Sequence, residues 1–313
     1  MTAPASSPSL PRRGRLGGQR RQEALWAIVF MLPWIIGFVV FTAGPMIASL
    51  FISFTRYNVI RPPSVIGLDN YERLLSDPRV AQSLMNTLYY TILNVPLSMI
   101  FALALALMLL RIGRAAGFFR TVFYLPALTP AVAVGVLFLM LLNGQTGFVN
   151  RGLGLLGIDG PNWTTHPDWI KPGIVIMSLW TLGSTTVIFF AALRNVPLEM
   201  YEAARIDGAN AWQQFRNITL PFISGALFFT LIVNTIASLQ LFSEVYTMFF
   251  GQQEGGSGSS SALFYVVYLF QKAFRDLDFG LASAMAWMLF LIVLGITIIQ
   301  LRLSKRWVFY EGE

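Results

Sequence analysis

The sequence has no cysteine, a single histidine and few charged residues. Without cysteine the chain forms no disulfide and performs no thiol chemistry. One histidine, His166, is too few for a histidine-rich metal site. Charged residues make up 12% of the 313 positions, about half the share found in soluble domains. Because so few charges cannot cover a water-facing surface, we expect most of the outer surface to face lipid.

A phosphate-binding loop is also absent from the sequence. Such a loop needs the order Gly-Lys-Ser or Gly-Lys-Thr. The three lysines, Lys171, Lys272 and Lys305, are followed by proline, alanine and arginine. We therefore expect no ATP hydrolysis by that chemistry, and we assign no catalytic site, metal site or cofactor to this chain.

Long apolar runs are what the sequence does contain. A helix needs about 20 apolar residues to cross a bilayer, and six uncharged runs reach that length. They predict an all-α, polytopic membrane protein with six transmembrane helices. Further apolar residues at Pro45–Thr55 extend the first helix, and Pro45 predicts a bend there. The runs are Leu25–Ala43, Asn86–Leu110, Thr121–Leu142, Gly173–Leu193, Leu220–Ser243 and Gly280–Leu301.

The chain divides into a transmembrane domain and two tails. Residues 1–23 are basic and rich in proline, serine and glycine, which predicts a disordered tail. The first apolar run is too long for a cleaved signal peptide, and no clear cleavage site follows it. The transmembrane domain covers 24–307 and includes a polar loop at 195–221, and a short tail covers 308–313.

The distribution of lysine and arginine predicts the orientation. The two tails, the loop after the second run and the loop after the fourth run hold 14 of the 22 basic residues. The other connections hold 8, although they are longer in total. Since basic residues favour the cytoplasmic side, both termini and the loop at 195–221 are expected in the cytoplasm.

That loop is predicted to be a helix, a turn and a second helix. Pro197 suits the first helical position and Gly208 suits a left-handed helix end. A second short helix is predicted over Ala209–Phe215, with Trp212 and Phe215 on one side. By its residues alone the loop is either an amphipathic linker on the membrane surface or a docking element. A patch of alanines between glutamate and arginine favours docking.

The loop also resembles a known motif. Glu202-Ala203-Ala204, then Gly208, Ile218 and Leu220-Pro221 resemble the EAA loop in membrane subunits of binding-protein-dependent ATP-binding-cassette importers. The resemblance extends from about Leu25 to Trp307. Segments such as Gly67–Thr91 are similar to the carbohydrate branch, the permeases of maltose and glycerol-phosphate importers. The Gly-Gly-Gly-Pro that usually follows the fifth span in that family is replaced here by FFGQQEGGSGSSS.

This resemblance implies a sugar importer subunit in the bacterial inner membrane. It implies a second, different permease chain, two ATPase subunits that bind ATP and magnesium, and an extracytoplasmic substrate-binding protein. The loop would then contain the coupling helix that contacts the ATPase. The positions that carry this role are Glu202, Ala203, Ala204, Asp207, Gly208, Trp212 and Phe215.

In that family the fifth span contributes to the sugar pocket. On this ground we assign substrate binding to Asn234, Ser238 and Gln240, because amides and hydroxyls suit a neutral sugar. Glu244 is either a gate or binding-protein contact, or a solvated residue at the membrane edge. The polar segments 67–78 and 274–280 either contact the binding protein or only cap the spans.

A secondary transporter or channel without an ATPase is the alternative. Such proteins often carry ionisable residues within their spans, and the six runs contain none. A membrane enzyme is a third possibility, but the sequence lacks clustered carboxylates, histidines or cysteines.

Overall fold

The computed structural model describes residues 16–251 and 260–305. The predicted C-terminal tail at 308–313 and most of the predicted N-terminal tail lie outside these residues. Within the described part the chain is helical except for loops and one antiparallel hairpin, which pairs β1 (Thr55–Arg56) with β2 (Ser64–Val65). The all-α prediction is confirmed.

The α-helices, in chain order, are α1 (Leu16–Phe38), α2 (Gly44–Ser53), α3 (Asp69–Ser76), α4 (Pro78–Arg111), α5 (Ala116–Tyr124), α6 (Ala131–Leu141), α7 (Phe148–Leu155), α8 (Pro167–Trp180), α9 (Gly183–Arg194), α10 (Leu198–Ile206), α11 (Ala211–Gln214), α12 (Leu220–Phe222), α13 (Ser224–Leu239), α14 (Ser243–Phe249), α15 (Tyr265–Phe270) and α16 (Phe279–Ser304). Short π-helices lie at Val39–Ala43, Phe215–Thr219 and Gln271–Arg275, and 3₁₀ turns at Gly113–Ala115, Leu125–Leu128 and Ser260–Ala262.

Each of the six predicted runs lies almost wholly in helix, and the fifth extends over α12, α13 and the first residue of α14. Among the described residues, four helices are long and apolar enough to cross a membrane, and two bent pairs bring the number to six if each pair is one span. We number them span 1 to span 6. The single spans are span 1 (Arg21–Ser53), span 2 (Pro78–Arg111), span 5 (Ser224–Phe249) and span 6 (Phe279–Ser304). Span 3 joins Ala116–Leu128 to Ala131–Leu141, and span 4 joins Pro167–Trp180 to Gly183–Arg194.

Three of the predicted runs are not continuous helices, since the fifth run is interrupted at Ile223 and again between α13 and α14. Span 3 bends by 97° and span 4 by 50°. In span 3, Pro130 has no N–H to donate and restricts Thr129 to an extended conformation (ψ 131°), so the helix stops and restarts. Span 4 breaks at Thr181 and Leu182, where no proline stands.

Span 1 differs from its prediction at both ends. Its helix begins at Leu16, so residues 16–23 of the predicted disordered tail are helical. Extending an existing helix costs little, since propagation adds one hydrogen bond per residue. At the other end it continues to Ser53 through the π-helix at Val39–Ala43, directly before Pro45. The extension at Pro45–Thr55 is thereby confirmed as far as Ser53.

The buried core consists of two clusters, one toward each end of the spans. One cluster contains Leu109, Phe190, Leu193 and Ile223, and residues of the loop at 195–221 pack against it. We call this end the loop side. The other cluster, around Tyr90, Phe264 and Tyr265, lies toward the opposite end, the far side.

Candidate functional site

The loop at 195–221 forms two short helices joined by a left-handed turn. α10 follows Pro197, which is its N-cap residue rather than the predicted first helical residue. Gly208 has a φ of +79°. The turn is closed by the N–H of Ala209, which donates to the carbonyl oxygen of Ala204 at 2.8 Å. The predicted left-handed helix end at Gly208 is confirmed, because glycine adopts positive φ without a steric penalty.

The second helix of the loop begins two residues later than predicted, continues past Phe215 through a π-helix, and has a cap that the prediction missed. α11 starts after Asn210, whose side-chain oxygen accepts from the N–H of Gln213 at 2.9 Å. The side chain of Gln213 accepts in return from the N–H of Asn210 at 2.8 Å. This capping box is readable in the sequence as Asn-x-x-Gln. The ring centroids of Trp212 and Phe215 lie 5.6 Å apart, so the prediction that both side chains lie on one side of this helix is confirmed.

Most of the predicted docking residues are on the surface of the loop. Glu202, Ala203, Asp207, Gly208 and Trp212 are exposed, whereas Ala204 and Phe215 are half-buried. The most exposed large apolar side chain of the loop is Ile206, at 87%, and Trp212 is 64% exposed. Ile206 was not among the predicted residues. Apolar side chains exposed together on a polar loop indicate an interaction surface.

The inner side of the loop contacts the rest of the chain through a hydrogen bond and through apolar packing. The hydroxyl groups of Tyr201 and Thr219 are hydrogen-bonded at 2.8 Å, which ties α10 to the start of span 5. Tyr201 and Ile218 also pack against the loop-side cluster that includes Leu193 and Val196. The loop therefore combines an exposed outer face with an inner face that is part of the core.

A cavity of about 190 Å³ lies among spans 2, 4 and 5. Its wall is largely polar but uncharged apart from one carboxylate. The lining residues are Tyr90, Asn94 and Ser98 from span 2, Ser178, Thr181, Leu182 and Thr185 from span 4, and Asn234, Ala237, Ser238, Leu241 and Glu244 from span 5.

Hydrogen bonds link some of these side chains to one another. The amide of Asn94 donates to the hydroxyl of Ser238 at 3.2 Å and accepts from the hydroxyl of Ser98 at 3.2 Å. By contrast, the side-chain nitrogen of Asn234 is buried and has no hydrogen-bond partner in the described part of the chain. A buried amide without a partner costs about 1–3 kcal/mol. An acceptor that reaches this nitrogen would remove the cost, and Asn234 is one of the residues that line the cavity.

The cavity contains two of the three predicted substrate residues and one that was not predicted. Asn234 and Ser238, four residues apart, line it together. Gln240 does not line it; its side chain is exposed, because α13 ends at Leu239 and the chain turns away. Glu244 does line it. Glu244 lies in the first turn of α14, because the helix resumes at Ser243 and runs on to Phe249. The two alternatives for this residue, a gate or binding-protein contact and a solvated residue at the membrane edge, both stay predictions.

Two interrupted spans meet at this cavity. Thr181 and Leu182 mark the break in span 4, and Leu241 lies in the break between α13 and α14 of span 5. Breaks of this kind leave backbone N–H and C=O groups free to face a cavity, and discontinuous helices commonly form substrate sites in transporters. The position of the breaks thus agrees with a binding role for the cavity.

The two predicted far-side segments, 67–78 and 274–280, are held together by polar contacts. A guanidinium nitrogen of Arg73 lies 2.7 Å from a carboxylate oxygen of Asp278. Asp77 accepts a hydrogen bond from the hydroxyl of Tyr268. Partial burial opposes ionisation of Asp77, but this hydrogen bond, the N–H of Arg79 and the charge of Lys272 together hold its pKa below the ordinary value. These contacts make the far-side surface a single ordered unit.

Comparisons with known proteins point to transport. The sequence profile of a family described as "Binding-protein-dependent transport system inner membrane component" matches residues 94–308. The chain is 39% identical to the probable ABC transporter permease protein YesP of Bacillus subtilis, over 94% of each chain. It is 33% identical to the arabinooligosaccharides transport system permease protein AraP of Halalkalibacterium halodurans, over 88% of this chain and 86% of that relative.

A similar solved structure is a bacterial ABC transporter involved in the import of the acidic polysaccharide alginate. The TM-score is 0.79 at 25% identity, covering 93% of this chain and 99% of that one. The profile match includes the capped loop and spans 3 to 6, and the relatives extend over nearly the whole chain. The chain therefore belongs to the family of inner-membrane components of binding-protein-dependent transport systems.

Proposed function

We propose that this chain is one of two permease subunits of an ATP-driven importer for a neutral sugar or oligosaccharide. The observation that carries the proposal is the unpartnered amide of Asn234 in a polar cavity between two interrupted spans. Sugar hydroxyls donate and accept hydrogen bonds, so they can satisfy amides, hydroxyls and a carboxylate in one site. The oligosaccharide permease among the relatives supports a carbohydrate.

Within the cavity, Asn234 and Ser238 contact the sugar and Glu244 accepts from its hydroxyl groups. A carboxylate acceptor forms shorter and stronger hydrogen bonds than a neutral one. Gln240 is not part of the proposed contact set, since its side chain lies outside the cavity. It is therefore a matched control for an amide in the same span.

The size of the cavity supports a second permease chain. About 190 Å³ is less than the roughly 300–1,000 Å³ of typical small-molecule sites, so we infer that the partner completes the wall. Span 1 supports the same conclusion. None of its most apolar 18-residue window is buried within this chain. We propose that this span packs on the partner permease.

The loop at 195–221 is proposed to be cytoplasmic and to dock on an ATPase subunit, which binds ATP and magnesium. Its exposed Ile206 and Trp212, beside the small side chain of Ala203, form the docking face. The hydrogen bond between Tyr201 and Thr219 transmits movement of α10 to span 5, and so to the cavity. ATP-driven closure of the ATPases then shifts the population between inward- and outward-open arrangements.

One observation favours the alternative of a secondary transporter. Glu244 is an ionisable residue at the cavity within span 5, and such residues often couple transport to protons. The two functions differ in their energy source. Uptake that requires ATP and the ATPase subunits, and that persists in a protonophore, supports the importer; uptake by this chain in a proton gradient without ATP supports the alternative.

The binding role is tested with Asn234→Ala in the complete transporter, reconstituted in liposomes with its binding protein. Labelled-sugar uptake is expected to fall about tenfold, because one buried hydrogen bond to the ligand is lost. Gln240→Ala should take up sugar at the normal rate. Equal rates for the two variants would place the sugar site elsewhere.

A further inference from the structure

A second hollow lies on the loop side, where span 2 ends and span 3 begins, against the end of span 4. Its volume is about 390 Å³, and an adjoining hollow of about 380 Å³ shares three of its residues. The shared residues are Arg120, Phe190 and Arg194. Together with Gly117, which lines the first hollow, we call them the basic niche.

Both arginines of the niche make cation–π contacts with one aromatic ring, that of Phe190. The guanidinium carbon of Arg120 and that of Arg194 each lie 5.8 Å from the ring centroid of Phe190. Over residues 16–251 and 260–305, neither guanidinium has a carboxylate at ion-pair distance or a hydrogen bond. Both guanidinium groups line the same two hollows without an acidic partner there, so an anion in this space is attracted by both charges.

The space of the niche results from small residues. A β-carbon built on Gly117 meets no atom within 4 Å, so the position opens onto empty space. Gly113, another lining residue, is equally open and has a φ of +63°. Larger side chains at these positions would fill the hollow. The niche is thus a concave, positively charged site rather than a flat basic surface.

Apolar side chains also line the two hollows. Leu110, at the end of span 2, lines the first hollow and is 38% exposed. Val187, on α9, lines the adjoining hollow. A ligand that matches this surface has an anionic group for the arginines and an apolar part for Leu110 and Val187.

We propose that the basic niche binds the phosphodiester headgroup of an anionic phospholipid, with an acyl chain lying along Leu110 and Val187. Basic pockets between spans on the cytoplasmic side are known to take such headgroups. Each guanidinium can form bidentate hydrogen bonds to a phosphate. The proposal does not depend on which substrate is transported.

The niche also adjoins the start of the loop at 195–221. Arg194 is the last residue of α9, and Val196, two residues further on, is buried in the cluster that holds Tyr201. A bound lipid therefore fixes the end of span 4 where the loop begins. Filling the niche is expected to stabilise the loop-side cluster against thermal unfolding.

The test titrates phosphatidylglycerol onto the full chain in mild detergent and counts bound lipids by native mass spectrometry, with phosphatidylcholine in parallel. Arg120→Gln and Arg194→Gln should each weaken phosphatidylglycerol binding about tenfold, because each removes charged hydrogen bonds. Gly117→Leu should weaken it similarly by filling the space while both charges stay. Arg151→Gln is the control, since Arg151 stacks on Phe148 at the same 5.8 Å, away from the niche.

Three results would overturn the proposal: equal binding of the two lipids, normal binding by Gly117→Leu, or displacement of the lipid by inorganic phosphate at equal concentration. The last would identify a site for a free anion that makes no use of the acyl chain. If the arginine variants do not reach the membrane, Gly117→Leu decides alone, because it changes no charge and its β-carbon has no atom of the described chain within 4 Å.

Discussion

Replacement of Gly208 by valine tests the contribution of the turn in the loop at 195–221. The φ of +79° at this residue sets the angle between α10 and α11. No atom lies within 4 Å of a β-carbon built there. A side chain therefore causes no collision, and the whole effect of the substitution comes from the backbone conformation.

The left-handed conformation costs an ordinary residue about 1–2 kcal/mol, and a β-branched residue is a clear outlier there. The turn that would carry this conformational cost is closed by two backbone hydrogen bonds. The N–H of Gly208 donates to the carbonyl oxygen of Arg205 at 3.1 Å, and the N–H of Ala209 donates to that of Ala204 at 2.8 Å. With about 1.4 kcal/mol per factor of ten, the population of the native turn should fall about tenfold. Gly208→Asn should retain most of the population of the native turn, because asparagine tolerates the left-handed conformation.

The assay uses the complete transporter in liposomes and measures ATPase retention, ATP hydrolysis and sugar uptake. Gly208→Val should keep the ATPase bound but reduce uptake per ATP hydrolysed. Gly152→Val is the control, since Gly152 lies in α7 with open space around it and no positive φ. Our reasoning would be refuted if Gly208→Val matched this control, or if Gly208→Asn were as impaired as Gly208→Val.

Three further predictions concern docking, orientation and the far side. Ala203→Arg should bury a charge without a partner against the ATPase, a cost of about 3–5 kcal/mol, and lower ATPase association at least a hundredfold; normal co-purification would mean that the loop is only a linker. A reporter enzyme active only in the cytoplasm should work when fused after Glu313, and activity from a periplasmic reporter there would reject the orientation. The lowered pKa of Asp77 contributes stability above its ordinary value of 3.8 that is lost as the pH falls through the folded-state pKa. Asp77→Asn should therefore lower the melting temperature at pH 7 and reduce the acid sensitivity of melting; an unchanged acid profile would contradict this.

The spans and the left-handed turn at Gly208 could be predicted from the sequence alone. Spans are visible because bilayer thickness imposes a minimum apolar length, which does not depend on tertiary contacts. The turn is visible because glycine is the residue that adopts positive φ freely. The bend in span 3 was also readable, since proline at 130 interrupts the apolar run.

The cavity could not be predicted in the same way. The break in span 4 at Thr181 has no proline to mark it, and it depends on packing against other spans. The place of Glu244 at the cavity was not predicted, because apolar length alone ended the fifth run at Ser243, whereas the helix continues beyond a short interruption. Gln240 was grouped with Asn234 on the resemblance to a family whose fifth span contributes to the sugar pocket, and the end of α13 at Leu239 separates the two residues.

The unburied first span has a consequence for how the transporter is made. Because lipid is as apolar as the side chains of span 1, the helix can insert without its protein neighbour. Insertion and assembly are then separate stages. With the second permease proposed above, the newly made subunit then assembles by diffusion in the plane of the membrane. Cells that produce this chain in excess of the proposed partner should accumulate an inserted, unassembled population on which quality-control proteases can act.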